Sequence, residues 1–148
     1  MKKIKNLALI DDDDIFVFLT KKAIQNTNLV EQIRVFGNGL DAIDFLWENS
    51  GDVDSLPEII LLDLSMPIMD GWQFLDQFTI LAPKINKQII IYICSSSISP
   101  NDVLLAKKNS LVSDYIIKPI TKEKLIELIK NLIESNFKGL LNIIFHFS

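Results

Sequence analysis

Asp63 ends a short apolar run and precedes a turn-rich segment, so a carboxylate stands at the end of a predicted strand. The run is Ile59-Ile60-Leu61-Leu62, and the segment after it includes Pro67 and ends in Asp70-Gly71. Functional groups of α/β proteins collect at the carboxyl ends of strands. The position of Asp63 therefore suits a carboxylate that takes part in chemistry.

Three more polar features end other strand-like runs: the acidic cluster Asp11–Asp14, the hydroxyl run Ser95–Ser97 and the pair Lys118-Pro119. Because such strand ends meet at one edge of a sheet, we expect these features to converge on Asp63. Two carboxylates from the first loop, together with Asp63, would form an oxygen-rich pocket suited to Mg²⁺. The four features together predict a phosphorylatable aspartate.

Each feature predicts a part of that chemistry. The ammonium of Lys118 can contact either the free aspartate or a phosphoryl oxygen, and Pro119 fits a fixed turn, with a cis peptide bond as one form. The hydroxyl of Ser95 can donate to a phosphoryl oxygen in the modified state alone, which would bias a two-state equilibrium.

Plainer explanations exist for each feature taken alone. An acidic cluster is typical of a solvated loop or a helix start, and an aspartate before a Pro/Gly turn is typical of the turn itself. Ser95 could be an ordinary loop residue, and Lys118 could be a surface lysine. Tyr115 could be an aromatic residue of the core. The order of the features and their positions at successive strand ends favour the phosphorylation site.

Apolar runs alternate with segments of helical periodicity, which predicts a doubly wound α/β fold with a parallel sheet. Asn38-Gly39, Ser99-Pro100 and Thr121 are typical of helix starts. The predicted strands are residues 6–11, 32–36, 58–63, 88–94 and 114–117, and the predicted helices are residues 15–27, 39–49, 71–81, 101–110 and 122–135.

Composition limits the classes of function. The 148 residues carry a net charge of −4, with no dense Lys/Arg cluster, so we expect no direct nucleic-acid partner. A single cysteine, Cys94, lies in an apolar run and suits a reducing compartment. Neither a signal peptide nor a membrane span is predicted, which favours the cytoplasm.

The pattern divides the chain into residues 1–136, one domain, and residues 137–148, a short hydrophobic tail. This tail is interpreted either as a terminus that packs locally or is partly disordered, or as an apolar patch for partner docking or self-association.

The motifs together resemble the receiver domains of two-component response regulators over residues 5–135. The elements that carry the resemblance are Leu9-Ile10-Asp11-Asp12-Asp13, residues 62–71, Ile93-Cys94-Ser95-Ser96 and residues 114–119. The resemblance implies a flavodoxin-like fold with five helices and a five-stranded parallel sheet in the order 2-1-3-4-5. It also implies a stand-alone, chemotaxis-regulator-like receiver that is not an enzyme acting on a separate substrate.

The resemblance also implies the roles of the site residues. Asp63 would accept a phosphoryl group from a phosphohistidine of a sensor histidine kinase or a histidine phosphotransfer protein. Mg²⁺ would be held by Asp11, Asp12, Asp63 and the backbone carbonyl of Ser65. Ser95 and Lys118 would contact the phosphoryl group, and Tyr115 would act as the switch aromatic. Output would pass through the face formed by the fourth helix, fifth strand and fifth helix to an unidentified protein, with homodimerisation left open.

Ser65 and Ser97 occupy two variable positions that influence hydrolysis of the acylphosphate in this family. Neither side chain offers a carboxylate or an amide to orient water, so we expect slow to moderate autodephosphorylation.

Two alternatives remain. A receiver-like interaction module would have the same architecture without using phosphate. A phosphatase of the haloacid dehalogenase type would use Asp11 as nucleophile, Asp13 as acid/base and Lys118, but it also needs a distal acidic pair, which does not follow Lys118.

Overall fold

The computed structural model describes residues 3–147, so the outermost parts of the predicted domain and tail, residues 1–2 and 148, lie outside the described residues. Strands and helices alternate along the chain. The strands are β1 (Ile4–Ile10), β2 (Val30–Phe36), β3 (Ile59–Leu62), β4 (Ile90–Ser95) and β5 (Val112–Ile117). The helices are α1 (Asp14–Thr27), α2 (Gly39–Glu48), α3 (Gly71–Leu81), α4 (Pro100–Lys108) and α5 (Lys122–Phe147), with a 3₁₀ turn at Ala82–Lys84.

The five strands form one parallel sheet in the order β2-β1-β3-β4-β5, which confirms the predicted fold class. The winding direction reverses between β1 and β3, where Ile10 pairs with Leu62. The residues that follow these two strands therefore leave the sheet side by side. In doubly wound sheets, this switch point is where ligands bind.

Two apolar cores cover the two faces of the sheet because successive strand residues point to opposite sides. Ile10, Ile60 and Leu62 face a core that includes residues of α2 and α3. Leu9 and Leu61 face the other core, which includes residues of α1 and α5. Burial on both faces explains why β3 consists of four consecutive apolar residues.

Helix α5 is longer than the sequence pattern predicts. It continues from Lys122 to Phe147, so the segment set apart as a tail is, as far as it is described, a continuation of this helix. The stripe that faces the sheet consists of Leu125, Leu128, Ile129 and Leu132, all buried. Within residues 3–147, no helix is both long enough and apolar enough to cross a membrane.

Candidate functional site

Two buried aspartates meet where β1 and β3 end. The backbone N–H of Asp63 donates to the carbonyl of Ile10 at 2.9 Å, and the N–H of Asp11 donates to the carbonyl of Phe36 at 2.9 Å. These bonds extend the strand pairing by one residue beyond each strand. Asp11 and Asp63 are only 4% and 6% exposed, respectively, although both are carboxylates. Buried carboxylates require partners that offset the loss of hydration.

Lys118 supplies the positive charge between the two aspartates. Its ammonium Nζ lies 2.8 Å from Oδ2 of Asp11 and 3.6 Å from Oδ1 of Asp63. The backbone N–H of Lys118 donates to the carbonyl of Ser95 at 2.9 Å, which fixes the lysine to the end of β4. The Lys118-Pro119 peptide bond is cis, one of the forms that the sequence allows. The structure thus brings Asp11, Asp63 and Lys118 together.

The electrostatic environment leaves the Asp63 carboxylate poorly compensated. Burial, followed by the neighbouring charge of Asp11, raises its pKa from 3.8 to about 6, although Lys118 and the backbone N–H groups of Leu64 and Ser65 oppose this rise. The N–H of Leu64 donates to Oδ1 of Asp63 at 2.9 Å. Above a pH of about 6 the carboxylate is therefore mainly ionised, and its charge is stabilised by Lys118 and the two backbone N–H groups.

The pKa of Lys118 is also raised, but for a lysine this shift favours the charged form. Burial alone lowers the pKa of its ammonium, but the hydrogen bond to Asp11 and the charges of Asp11 and Asp63 outweigh burial, so the pKa lies above its ordinary value. The ammonium also lies 4.3 Å from the centre of the Phe16 ring, a cation–π contact. Lys118 therefore stays positively charged at neutral pH.

Asp12 completes a group of three carboxylates. Asp11, Asp12 and Asp63 each have a carboxylate oxygen in this group, and these three oxygens lie within 4.8 Å of one another. Asp12 is exposed, which leaves one side of the group open to solvent. Clustered carboxylate oxygens beside open solvent are a donor set that suits a hard cation that keeps several of its waters. The residues present therefore fit Mg²⁺.

The segment after β4 is linked to Tyr115 by hydrogen bonds. The Tyr115 hydroxyl donates to the carbonyl of Ser97 at 2.8 Å, and the N–H of Ser97 donates to the hydroxyl oxygen of Ser95 at 3.0 Å. The Ser97 hydroxyl in turn donates to Oδ2 of Asp102 at 2.7 Å. Ser95 is buried, whereas Tyr115 is half-buried. These bonds connect the end of β4 to both β5 and α4.

The loop after β3 is shaped by close backbone packing. Ile68 adopts a positive φ of 70°, and the N–H of Gly71 donates to the carbonyl of Leu64 at 3.0 Å. A Cβ on Gly71 would overlap the carbonyl oxygen of Asp63. Ser65 is exposed in this loop, with its N–H near the Asp63 carboxylate. Glycine at position 71 therefore lets α3 begin directly against the backbone of the candidate site.

Sequence reasoning missed two contributors, Phe16 and Asp102. The sequence signal for Phe16 was an aromatic residue just after the acidic cluster; its contact is with a lysine that lies far away in the chain. The signal for Asp102 was an acidic residue in the first turn of α4, close to the Ser95–Ser97 run. Both roles depend on loop geometry rather than on a motif.

Comparisons with known proteins agree with this architecture. A family model described as the response regulator receiver domain matches residues 7–130. A crystal structure of a two-component response regulator from Cytophaga hutchinsonii has a TM-score of 0.80 and 36% identity, covering 90% of this chain and 99% of that chain.

Two curated relatives are also similar to the chain. The "Probable methanogenesis regulatory protein FilR2" of Methanothrix harundinacea is 29% identical over 86% of this chain and 81% of its own length. The chemotaxis protein CheY of Bacillus subtilis is 27% identical over 82% of this chain and 92% of its own length. With its strand order and its strand-end aspartates, the chain belongs to the response regulator receiver domain family.

Proposed function

We propose that the protein is a phosphoacceptor switch in which Asp63 takes a phosphoryl group from a phosphohistidine of a sensor histidine kinase or a histidine phosphotransfer protein. The observation that carries this proposal is the meeting of Asp63 with a second buried carboxylate, Asp11, and a lysine ammonium 3.6 Å away. Burying two carboxylates beside a single ammonium lowers the stability of the folded protein, because the carboxylates repel each other and lose hydration. This loss of stability is understandable if the same groups handle a transferred anion.

In the proposed reaction, a carboxylate oxygen of Asp63 attacks phosphorus, forming a P–O bond as the P–N bond to the histidine breaks and its electron pair returns to the imidazole. The nucleophile must be ionised, and a pKa of about 6 leaves Asp63 mainly ionised at neutral pH. The ammonium of Lys118 can move from the carboxylate to a phosphoryl oxygen and so balance the transferred charge.

We assign Mg²⁺ to the carboxylates of Asp11, Asp12 and Asp63 and to the backbone carbonyl of Ser65. When bound, the ion would supply positive charge that favours the approach of the phosphoryl oxygens to this acidic site. Asp12 lies on the open side of the carboxylate group, from which an incoming phosphodonor would approach through solvent.

Readout would begin at Ser95, whose hydroxyl can donate to a phosphoryl oxygen on Asp63. Because the N–H of Ser97 now donates to that hydroxyl, a shift of Ser95 would pull on Ser97 and hence on its bond with Tyr115. The consequence would be a change in the face formed by α4, β5 and α5, which a downstream protein would bind. We place this signalling in the cytoplasm, without direct contact to nucleic acid.

This proposed activity is a switch and not catalysis on a separate substrate. We expect the acylphosphate to persist for minutes rather than seconds, because Ser65 and Ser97 lack a carboxylate or an amide that would orient water. In addition, the Ser97 hydroxyl is already engaged with Asp102 at 2.7 Å. Following the loss of the phosphoryl mass after removal of the donor would measure this lifetime, and a half-life of seconds would contradict the expectation.

Intact-mass spectrometry after incubation with acetyl phosphate and Mg²⁺ tests the phosphoacceptor. We expect one added phosphoryl group on the wild type, none on Asp63→Asn, and none when Mg²⁺ is chelated. The matched control is Asp76→Asn, which changes an exposed aspartate on α3 and should leave the addition intact. An unmodified wild type with Mg²⁺ present would contradict the proposal and favour a phosphate-independent interaction module.

A further inference from the structure

The C-terminal half of α5 extends beyond the body of the domain. Leu132 is the last buried residue of the helix among those whose burial is described, which end at His146. The described part of the helix continues for roughly four turns beyond Leu132. Apolar side chains in these turns remain open to solvent: Phe137, Leu140, Ile143 and Ile144 are 54%, 45%, 57% and 52% exposed, respectively. Exposed apolar residues clustered on one helix are typical of a binding surface.

The apolar residues follow the spacing of a helix-pairing seam. Ile133, Phe137, Leu140 and Ile144 are separated by four, three and four residues, which is the heptad alternation of a coiled coil. Leu141 and Ile143 occupy the two positions that flank this seam and make it wider. The seam begins at Ile133, directly after Leu132, where the buried stripe ends. Ile133 is half-buried and packs against the core, so it joins the buried stripe to the seam. Phe137, Leu140 and Ile144, farther along the helix, are exposed and available to a partner.

The partner that fits this seam is a second copy of the same helix. Knobs-into-holes packing requires a partner helix with the same apolar spacing, and two copies of this segment meet that requirement for each other. Pairing the seams would bury on the order of 1,000 Å² in total, near the lower end for a specific interface. A membrane-surface helix would carry several Lys or Arg residues on its polar face, but residues 137–147 contain Lys138 alone.

We propose that this protein forms a homodimer in which the seam Ile133, Phe137, Leu140 and Ile144 of α5 packs against the same seam of a second copy. The seam is already exposed on the helix of the unmodified protein, so we expect dimerisation without phosphorylation.

Light scattering and sedimentation equilibrium over a hundredfold range of concentration test the dimer, with the full chain and no phosphodonor. We expect the wild type to reach twice its chain mass of 16.9 kDa. The double variant Phe137→Asp/Ile144→Asp places charges in the seam and should weaken dimerisation by at least a hundredfold. Near-UV circular dichroism would verify that the variant keeps the packing of its core, which the substituted positions do not join.

Two control variants separate the seam from general hydrophobic adhesion. Asn142→Asp and Phe145→Asp change neighbouring positions outside the seam, so both should dimerise within about threefold of the wild type. A wild type that stays monomeric across the range would overturn the proposal. So would a seam variant that still dimerises, equal weakening by Phe145→Asp, or a monomer that binds anionic phospholipid vesicles through this helix. None of these outcomes depends on whether Asp63 accepts phosphate.

Discussion

At the scale of single residues, the site is organised by one cation that serves two buried carboxylates. The Nζ atom of Lys118 is 0.8 Å nearer to Asp11 (2.8 Å) than to Asp63 (3.6 Å), so the lysine mainly neutralises Asp11. Asp63 consequently keeps much of its desolvation penalty, which explains its raised pKa. The residue proposed to react is thus one whose ionised form the folded state disfavours.

This imbalance predicts how stability depends on pH. The pKa of Asp63 is about 6 in the folded protein and 3.8 ordinarily, so protonation favours the folded state. The contribution is fully present below pH 3.8 and is lost as the pH rises through about 6. Asparagine resembles the neutral acid, so Asp63→Asn should raise the free energy of unfolding by about 1–2 kcal/mol at pH 8, after allowance for solvent at the open side of the pocket.

Urea unfolding at a series of pH values, with a chelator present, measures this difference. The gap between Asp63→Asn and the wild type should shrink towards zero near pH 4. Asp76→Asn, which removes an exposed carboxylate on α3, is the matched control for the substitution itself. A gap that is constant from pH 4 to pH 8 would show that ionisation of Asp63 is not its source.

At the scale of elements, the start of α3 depends on close approach to the end of β3. A Cβ on Gly71 would overlap the Asp63 carbonyl oxygen and lie 2.9 Å from Cα of Leu64, both backbone atoms. Gly71→Ala should therefore lower the free energy of unfolding by about 1–3 kcal/mol, because the backbone must shift to relieve the overlap. Urea denaturation measures the change.

Gly51→Ala is the matched control, since a Cβ there would meet no atom within 4 Å. We expect it to change stability by about 0.5 kcal/mol or less. Equal effects of the two substitutions would contradict the steric explanation.

The strands and the site-forming loops were predictable because their signals are local. The predicted strand bounds lie within about two residues of the observed ones. The apolar run of β3 is continuous because this strand is buried on both faces, whereas the partly exposed β2 and β5 also contain polar residues. Among the predicted helix starts, the side chains of Asn38 and Thr121 accept the expected backbone bonds. Ser99 occupies the cap position of α4 but makes no side-chain capping bond, and Pro100 opens the helix.

The end of α5 was not predictable from the same signals. The predicted boundary near residue 135 reflects the loss of the sheet-facing stripe after Leu132, but loss of one apolar face does not end a helix. Gly139 weakens the helix by about 1 kcal/mol relative to alanine without supplying a stop. Likewise, the contacts of Phe16 and Asp102 depend on how loops fold back, which no local spacing encodes.

At the scale of the whole molecule, the acidic cluster should couple cation binding to global stability. A ligand that binds only the folded state raises the free energy of unfolding, by about 2.7 kcal/mol at a hundred times its dissociation constant. Mg²⁺ should therefore raise the melting temperature of the wild type. Ca²⁺ and Mg²⁺ sites differ in ligand number and geometry, so a smaller rise with Ca²⁺ at equal concentration would favour assignment to Mg²⁺.

The variant Asp12→Asn distinguishes the effect of Mg²⁺ binding on stability from the stability of the metal-free fold. Asp12 is exposed, so its substitution creates no cavity and should leave the metal-free melting temperature unchanged or slightly higher, because one charge leaves an acidic cluster. The Mg²⁺-induced rise should shrink by half or more. Asp14→Asn, in the same run but in the first turn of α1, should keep the full Mg²⁺-induced rise even if its metal-free stability falls slightly. Differential scanning calorimetry with and without Mg²⁺ measures both quantities, and equal Mg²⁺-induced rises in the two variants would remove Asp12 from the proposed cation site.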